Sequence, residues 1–462
     1  MNQAAVPIAT FPREAFGHPR GLWVLAGTEL WERISFHGMQ AILTLYLVST
    51  LLLPGHVDHV AAFGPFRRAI EALTGPLSLQ GLATQTFGIY IALVYATPIV
   101  GGAIGDRLLS RRVTVTLGAL LMTLGHFSLA FDASFLFGML FLALGAGLLR
   151  GNLTPQVKAL YPAGDRRQSD AFQIYALSVN VGAFIAPLVT GALAAVYGWH
   201  VGFAFAGFGM LTGLIIYLAG QRYLADEPRV ARAERAPLTR AERARVGWLL
   251  AVWPLLVCFW VAQSQVWNTY NLWVRDYVDL AVAGFSVTIP WLQSLDGLMP
   301  ALTVPMMLAV WRRQAVHGSE PALLVKLGIG ALLFAGSVLI LVVASHPPGS
   351  TARASLLFPI AFHVTSNFGW IYFAPVATAL IQTRAPASTR GTMAGINMLS
   401  VTAGSLISGR LGALYEHVPA SLFWLIHAAI VGGAGVILLI AARPLGRRLP
   451  ESVDEPFGEP IG

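Results

Sequence analysis

Residues 22–53 read LWVLAGTELWERISFHGMQAILTLYLVSTLLL, and this stretch decides the fold. About 20 mostly apolar residues carry a helix across a bilayer. This run is longer than that, and its only formal charges are Glu29, Glu32 and Arg33. On a helix the three share one face, and Glu29 and Arg33 are four apart, the spacing at which helical side chains meet. Phe36, His37 and Gln40 continue the same stripe. An ionisable group at bilayer depth costs at least about 2.5–3.5 kcal/mol, so such a stripe lines a polar cavity or a partner helix rather than lipid.

The rest of the chain repeats the pattern. It has 462 residues, 56% hydrophobic and only 11% charged, with a mean hydropathy of +0.66. Soluble domains carry roughly a quarter charged residues, which excludes an ordinary cytosolic enzyme. So much apolar surface equally excludes disorder. Cys258 is the only cysteine, so there is no internal disulfide.

Twelve spans are predicted, from near Leu22–Leu53 to near Ser421–Ala442, the seventh near Val246–Val274 and the eleventh near Gly391–Tyr415. The expected class is an all-α polytopic membrane protein in two six-helix halves. Its divisions are an N-tail (1–20), a first bundle (21–224), a linker (225–245), a second bundle (246–442) and a C-tail (443–462). No cleavable signal peptide precedes the first span. Pro54–Pro76, with Phe63, Phe66 and Ile70 beside Arg67 and Arg68, suits a short interfacial helix.

Of the 30 Lys and Arg residues, 23 fall on the N-tail, even-numbered loops and C-tail, and four on odd-numbered loops. By the positive-inside rule both termini are cytoplasmic. The net charge of +8 then reports topology and calls for no nucleic-acid partner. Two equal halves suggest a transporter with its site at the midplane between them.

Only Glu29, Glu32 and Asp296 are acids well inside spans, and Arg150 is the other deep cation of the first half. A carboxylate whose Arg is drawn away becomes easier to protonate, which is the chemistry of proton-coupled transport. The same residues also suit a permanent ion pair that fixes helix packing. Arg150 offers a bidentate fork either to a substrate carboxylate or to Glu29 or Glu32. His37 either titrates near neutral pH or hydrogen-bonds a neighbouring helix. His126, His363 and His427 stand on separate spans with no ligand partners, so no metal site is expected.

Glu29-Leu30-Trp31-Glu32-Arg33 followed by Phe36-His37-Gly38-Met39 resembles the first-helix motif of the proton-dependent oligopeptide transporter family, a branch of the major facilitator superfamily. Gly101-Gly102-Ala103-Ile104-Gly105-Asp106-Arg107 with Arg111-Arg112 resembles that superfamily's cytoplasmic gating loop. Phe172-Gln173-Ile174-Tyr175 through Asn180-Val181-Gly182-Ala183 is similar to the family's fifth-helix signature. In the second half Phe259-Trp260, Gln265 and Leu292-Gln293-Ser294-Leu295 carry a weaker likeness.

The resemblance implies a major facilitator fold and proton-driven import of di- and tripeptides, with no cofactor beyond the proton gradient. It implies Glu29, Glu32 and Arg33 as the coupling cluster, Tyr95 and Asn180 in the peptide cavity, Arg150 where a Lys is usual, and Gly102, Asp106, Arg107 and Arg111 as the gating loop. A monomer in the bacterial inner membrane is expected.

The departures fall in the first, seventh and tenth spans. Phe36, His37 and Gln40 stand where the family has two tyrosines and a basic residue; Ser264 replaces a Glu beside Gln265; Trp370 replaces the Glu that commonly holds the peptide amine. No two extra helices separate the halves. Asp296 is then the one acid left to meet an ammonium group, unless it only packs helices; Trp370 either meets a cation through its ring or packs. Two readings follow: an importer of short peptides or peptide-like compounds, or a proton-coupled carrier of a non-peptide or modified amino-acid substrate. A sensor would need an output module that the short loops do not hold, and an enzyme a nucleophile–base or metal constellation that the helices lack.

Overall fold

Backbone amides in hydrocarbon must be satisfied within their own segment, so apolar runs of this length become helices. The computed structural model describes residues 14–162, 164–225, 237–282, 284–345 and 352–449. The first half contains α1 (Arg20–Tyr46), α2 (Phe63–Thr74), α3 (Leu79–Arg107), α4 (Arg111–Leu129), α5 (Phe135–Ala159), α6 (Arg167–Tyr197) and α7 (Trp199–Gly220). The second contains α8 (Arg240–Gln265), α9 (Thr269–Tyr277), α10 (Ile289–Val316), α11 (Leu323–Ala344), α12 (Leu357–Arg384), α13 (Arg390–Gly412) and α14 (Ala420–Arg448). Two minimal hairpins, Glu14–Ala15 with His18–Pro19 and Ala281–Val282 with Phe285–Ser286, and six short 3-10 or π segments complete the described elements. Residues 226–236 of the linker, most of the N-tail and the end of the C-tail lie outside the described residues.

Among the described residues, eleven helical segments are long and apolar enough to cross a membrane. The eleventh predicted span, α13, is the exception by composition, because it buries Ser400, Ser405 and Ser408 with glycines against its neighbours. Its 23 residues still measure about 35 Å, enough to cross. The α2 helix falls in the stretch read as interfacial, with Ile70 buried and Leu73 exposed.

The seventh span is interrupted: α8 ends at Gln265 and α9 begins at Thr269, with Asn268 far from helical geometry (φ −109°, ψ −101°). The break is paid for by side chains. Gln293 Nε2 donates to the freed Val266 carbonyl (2.6 Å) and to Asn271 Oδ1 (2.7 Å), and Asn268 Nδ2 donates to Thr84 O (3.1 Å). Broken spans are tolerated where neighbours satisfy the freed groups in this way.

The same asparagines join the halves. Thr44 Oγ1 donates to Asn268 Oδ1 (3.2 Å), Asn271 Nδ2 to Ala41 O (3.3 Å), Thr84 Oγ1 to Gly409 O (3.1 Å), and Trp291 Nε1 to Leu188 O (3.0 Å). All lie toward the face where α1 ends and α3 begins, opposite the face that holds the start of α1 and the end of α14. The halves are therefore pinned at that far face. Toward the terminal face a cavity opens between them, and along α12 its wall runs from Ser366 to Gln382, about 24 Å of helix.

Candidate functional site

The site is built where α1, α5 and α6 meet. Arg33 Nε donates to Glu29 Oε1 (2.7 Å) one helical turn away and lies 3.2 Å from Glu32 Oε2. From α5, Arg150 holds Glu32 Oε1 with Nε (2.9 Å) and Nη2 (2.7 Å). From α6, Tyr175 Oη donates to Glu29 Oε2 (2.5 Å). The Arg150 guanidinium also lies 4.1 Å from the Phe36 ring centroid, a cation–π contact on its other side. Two carboxylates and two guanidiniums thus balance in one buried network. Gly182 permits the packing: a Cβ there would lie 2.6 Å from Arg33 Cβ and 2.9 Å from Leu30 O, so any side chain would push α6 off the cluster.

The members differ in exposure. The side chains of Glu32 and Glu29 are 0% and 2% exposed, Arg150 10% and Arg33 17%. Arg33 alone of the four lines the cavity, which has a volume of about 670 Å³. That is within the range of about 300–1,000 Å³ typical of small-molecule sites.

Of the residues singled out in the sequence, the cavity gathers Arg33, His37, Gln40, Tyr95, Asn180, Ser264, Asp296 and Trp370. His37 tilts against Trp267 (centroids 5.3 Å apart), and Ser264 Oγ lies 3.0 Å from Ser405 Oγ. Glu29, Glu32 and Arg150 lie behind the wall. Gln265 also points away, donating to Ser408 O (2.9 Å) and meeting His427 Nε2 at 3.1 Å. Gly102, Asp106, Arg107 and Arg111 fall at the α3–α4 turn on the terminal face, where Arg111 Nη2 and Asp106 Oδ1 pair at 2.9 Å.

His363 stands beside an acid singled out in the sequence: its Nδ1 is 2.7 Å from Asp296 Oδ1. Sequence reading also missed the role of Tyr175 and the wall residues Trp260, Gln263, Ser366 and Asn367. Tyr175 was legible only as part of a motif, since its contact with Glu29 spans 146 positions. Among the described residues no three His, Cys, Asp or Glu side chains converge in an arrangement that holds a metal.

The POT family profile matches residues 112–232 and 235–429, more than half of the chain. The chain belongs to the POT family. It is 28% identical over 500 residues to the di-/tripeptide transporter of Lactococcus lactis subsp. cremoris, covering 93% of this chain and 96% of that protein. It is 27% identical over 510 residues to the peptide transporter YePEPT of Yersinia enterocolitica subsp. palearctica serotype O:3, covering 93% and 95%. A crystal structure of the peptide transporter POT in complex with alafosfalin superposes with a TM-score of 0.83 at 26% identity, over 95% of this chain and 97% of that one. This POT protein is accordingly a multi-pass membrane transporter and not an enzyme. Within the POT frame its cavity is asymmetric: the first half presents a cation, Arg33, and the second a carboxylate, Asp296.

Proposed function

We propose that this POT-family protein imports di- and tripeptides or peptide-like compounds together with protons, by alternating access. The observation that carries the reading is the double environment of Arg33, which belongs to the buried carboxylate network and also lines the cavity. A substrate carboxylate at Arg33 competes with Glu29 and Glu32 for it. Arg150 compensates Glu32 through the exchange, and the carboxylate left short of positive charge becomes easier to protonate. Glu29, Glu32 and Arg33 then serve as the coupling cluster, and Arg150 as the reserve carboxylate site.

The other wall takes the substrate's positive end at Asp296, while Tyr95, Trp260 and Trp370 offer apolar faces to its side chains. Gln40, Asn180 and Ser264 offer hydrogen bonds to its amides. The curated relatives, named as di-/tripeptide and peptide transporters, support this class of substrate. The excess of Lys and Arg on one set of loops supports cytoplasmic termini in a bacterial inner membrane, which makes this conformation open to the cytoplasm. On that side Gly102, Asp106, Arg107 and Arg111 form the gating turn. The protein acts as a monomer with the proton gradient as its driving force.

Ser264 and Trp370 favour one second reading, a carrier of a modified or non-peptide substrate, because they leave the second half a single cavity carboxylate. Uptake of labelled dialanine into proteoliposomes under an inward proton gradient, with unlabelled dialanine or N-acetyl-dialanine as competitor, separates the two. Competition by dialanine alone shows that the amine is read. Competition by both shows carboxylate-led recognition. No uptake by a verified reconstitution favours the second reading.

A further inference from the structure

Asp296 on α10 and His363 on α12 form an ionisable pair on the cavity wall facing away from the α1 network. His363 Nδ1 donates to Asp296 Oδ1 at 2.7 Å. The Asp296 side chain is 20% exposed and lines the cavity, whereas the His363 side chain is fully enclosed. Two polar atoms of the pair have no hydrogen-bond partner among the described residues: Asp296 Oδ2 and His363 Nε2. Ser366 Oγ donates to the His363 backbone carbonyl (3.1 Å), so it does not serve the ring. Asn367 is likewise engaged, accepting from Thr303 Oγ1 (2.7 Å).

We propose that Asp296 and His363 together form a proton-linked receptor for the ammonium end of the substrate. With His363 neutral, the pair carries one negative charge and Oδ2 is free to accept from a cation. With a proton on Nε2, imidazolium and carboxylate cancel, and the attraction for the ammonium is lost. A proton and an ammonium group therefore compete, and binding of the ammonium releases the imidazolium proton to solvent. The inference rests on the reading that the cavity takes amine-bearing solutes.

The ionisable groups turned toward the pair are few. From α9, the Tyr270 ring meets the His363 ring edge-on (5.1 Å, 88°). Across the cavity stand Arg33 and His37 of α1. On α11, Lys326 is engaged by Glu320 and by the Trp311 ring (4.1 Å), and on α13 Arg390 and Arg410 lie at the helix ends. No other carboxylate among the described residues lines this cavity. Both dialanine and N-acetyl-dialanine carry the carboxylate that engages Arg33, so the difference between them isolates the amine wall.

The test is calorimetric binding of each compound to the purified full-length protein between about pH 5 and 7, where the peptide amine, with a pKa of about 7.7–8.0, stays charged. Relative to N-acetyl-dialanine, which shares the carboxylate and any protonation of the α1 cluster it causes, dialanine affinity should fall by up to about tenfold per pH unit on acidification, the limit for one competing proton. In two buffers of different ionisation enthalpy, dialanine should release more protons than its acetylated form. His363→Gln, which keeps a donor for Asp296, should give dialanine the slope of the acetylated compound. Equal slopes for the two compounds, or an unchanged slope in H363Q, would overturn the proposal. Should H363Q fail to fold, the two-buffer comparison on the parent protein decides. Absence of binding by either compound to folded parent protein rejects the peptide reading as well, whereas tight binding with equal slopes rejects only the proton-linked pair.

Discussion

Substitution of Gly412 by Ala at the far face should shift the protein away from the conformation described here. Gly412 ends α13 with φ −55° and ψ −29°, a geometry that alanine adopts without backbone cost. An added Cβ would, however, lie 2.6 Å from Thr84 Cβ and 2.7 Å from Thr84 Oγ1 on α3. Ordinary contact begins at 3.4 Å, so the helices must part by about 0.8 Å. Rotation of Thr84 does not move its Cβ, and its hydroxyl is held by the Gly81 and Gly409 carbonyls (both 3.1 Å). Overpacking of this kind costs about 1–3 kcal/mol. Carried only by the state closed at this face, that cost changes the population ratio by about 5- to 150-fold.

The assay is the distance distribution between spin labels at Leu73 and Val282, exposed positions of the two halves near this face, after replacement of Cys258. A longer-distance population should grow in G412A. Gly118→Ala is the control, because its Cβ would crowd Gly145 O and Leu149 N, both at 2.7 Å, within the first half. It should lower thermal stability without altering the distances. An unchanged distribution in G412A, with a stability loss like that of the control, would refute the idea that this contact belongs to one conformation only.

Arg150→Ala should destabilise the first half by about 3–5 kcal/mol, since it leaves Glu32 buried with only Arg33 at 3.2 Å; thermal unfolding in detergent measures this, and Arg150→Lys should recover part of the loss. Tyr175→Phe removes a hydrogen bond to a carboxylate, worth about 1.5–3 kcal/mol, and the same melt reads it. Outside the membrane, Glu71 is held below the usual carboxylate range, first by the Leu77 backbone N–H and then by Arg67. Its folded-state value is depressed, so its contribution is present at neutral pH and fades as pH falls through that value. Amide exchange at Leu77, corrected for intrinsic rate, should accelerate on acidification and be pH-independent in Glu71→Gln.

The fold was legible because the bilayer imposes a ruler that each apolar run meets or misses by itself. Arg33 and Glu29 were legible as a pair because helical spacing alone brings them together. What the chain did not reveal depends on partners distant in sequence. The break at Asn268 is stable because Gln293 and Thr84 receive its freed groups, and nothing local to Val246–Val274 signals them. The contact of Arg150 with Glu32, 118 positions away, and its place behind the cavity wall could come only from geometry. His363 read as an isolated histidine because Asp296 lies 67 positions away.

Coupling of proton to substrate through the network that shares Arg33 with the cavity is tested by Glu32→Gln in proteoliposomes, comparing gradient-driven accumulation of labelled dialanine with counterflow under no gradient. The variant should lose accumulation above equilibrium but retain counterflow. Accumulation equal to that of the parent protein, with the same dependence on the proton gradient, would contradict it.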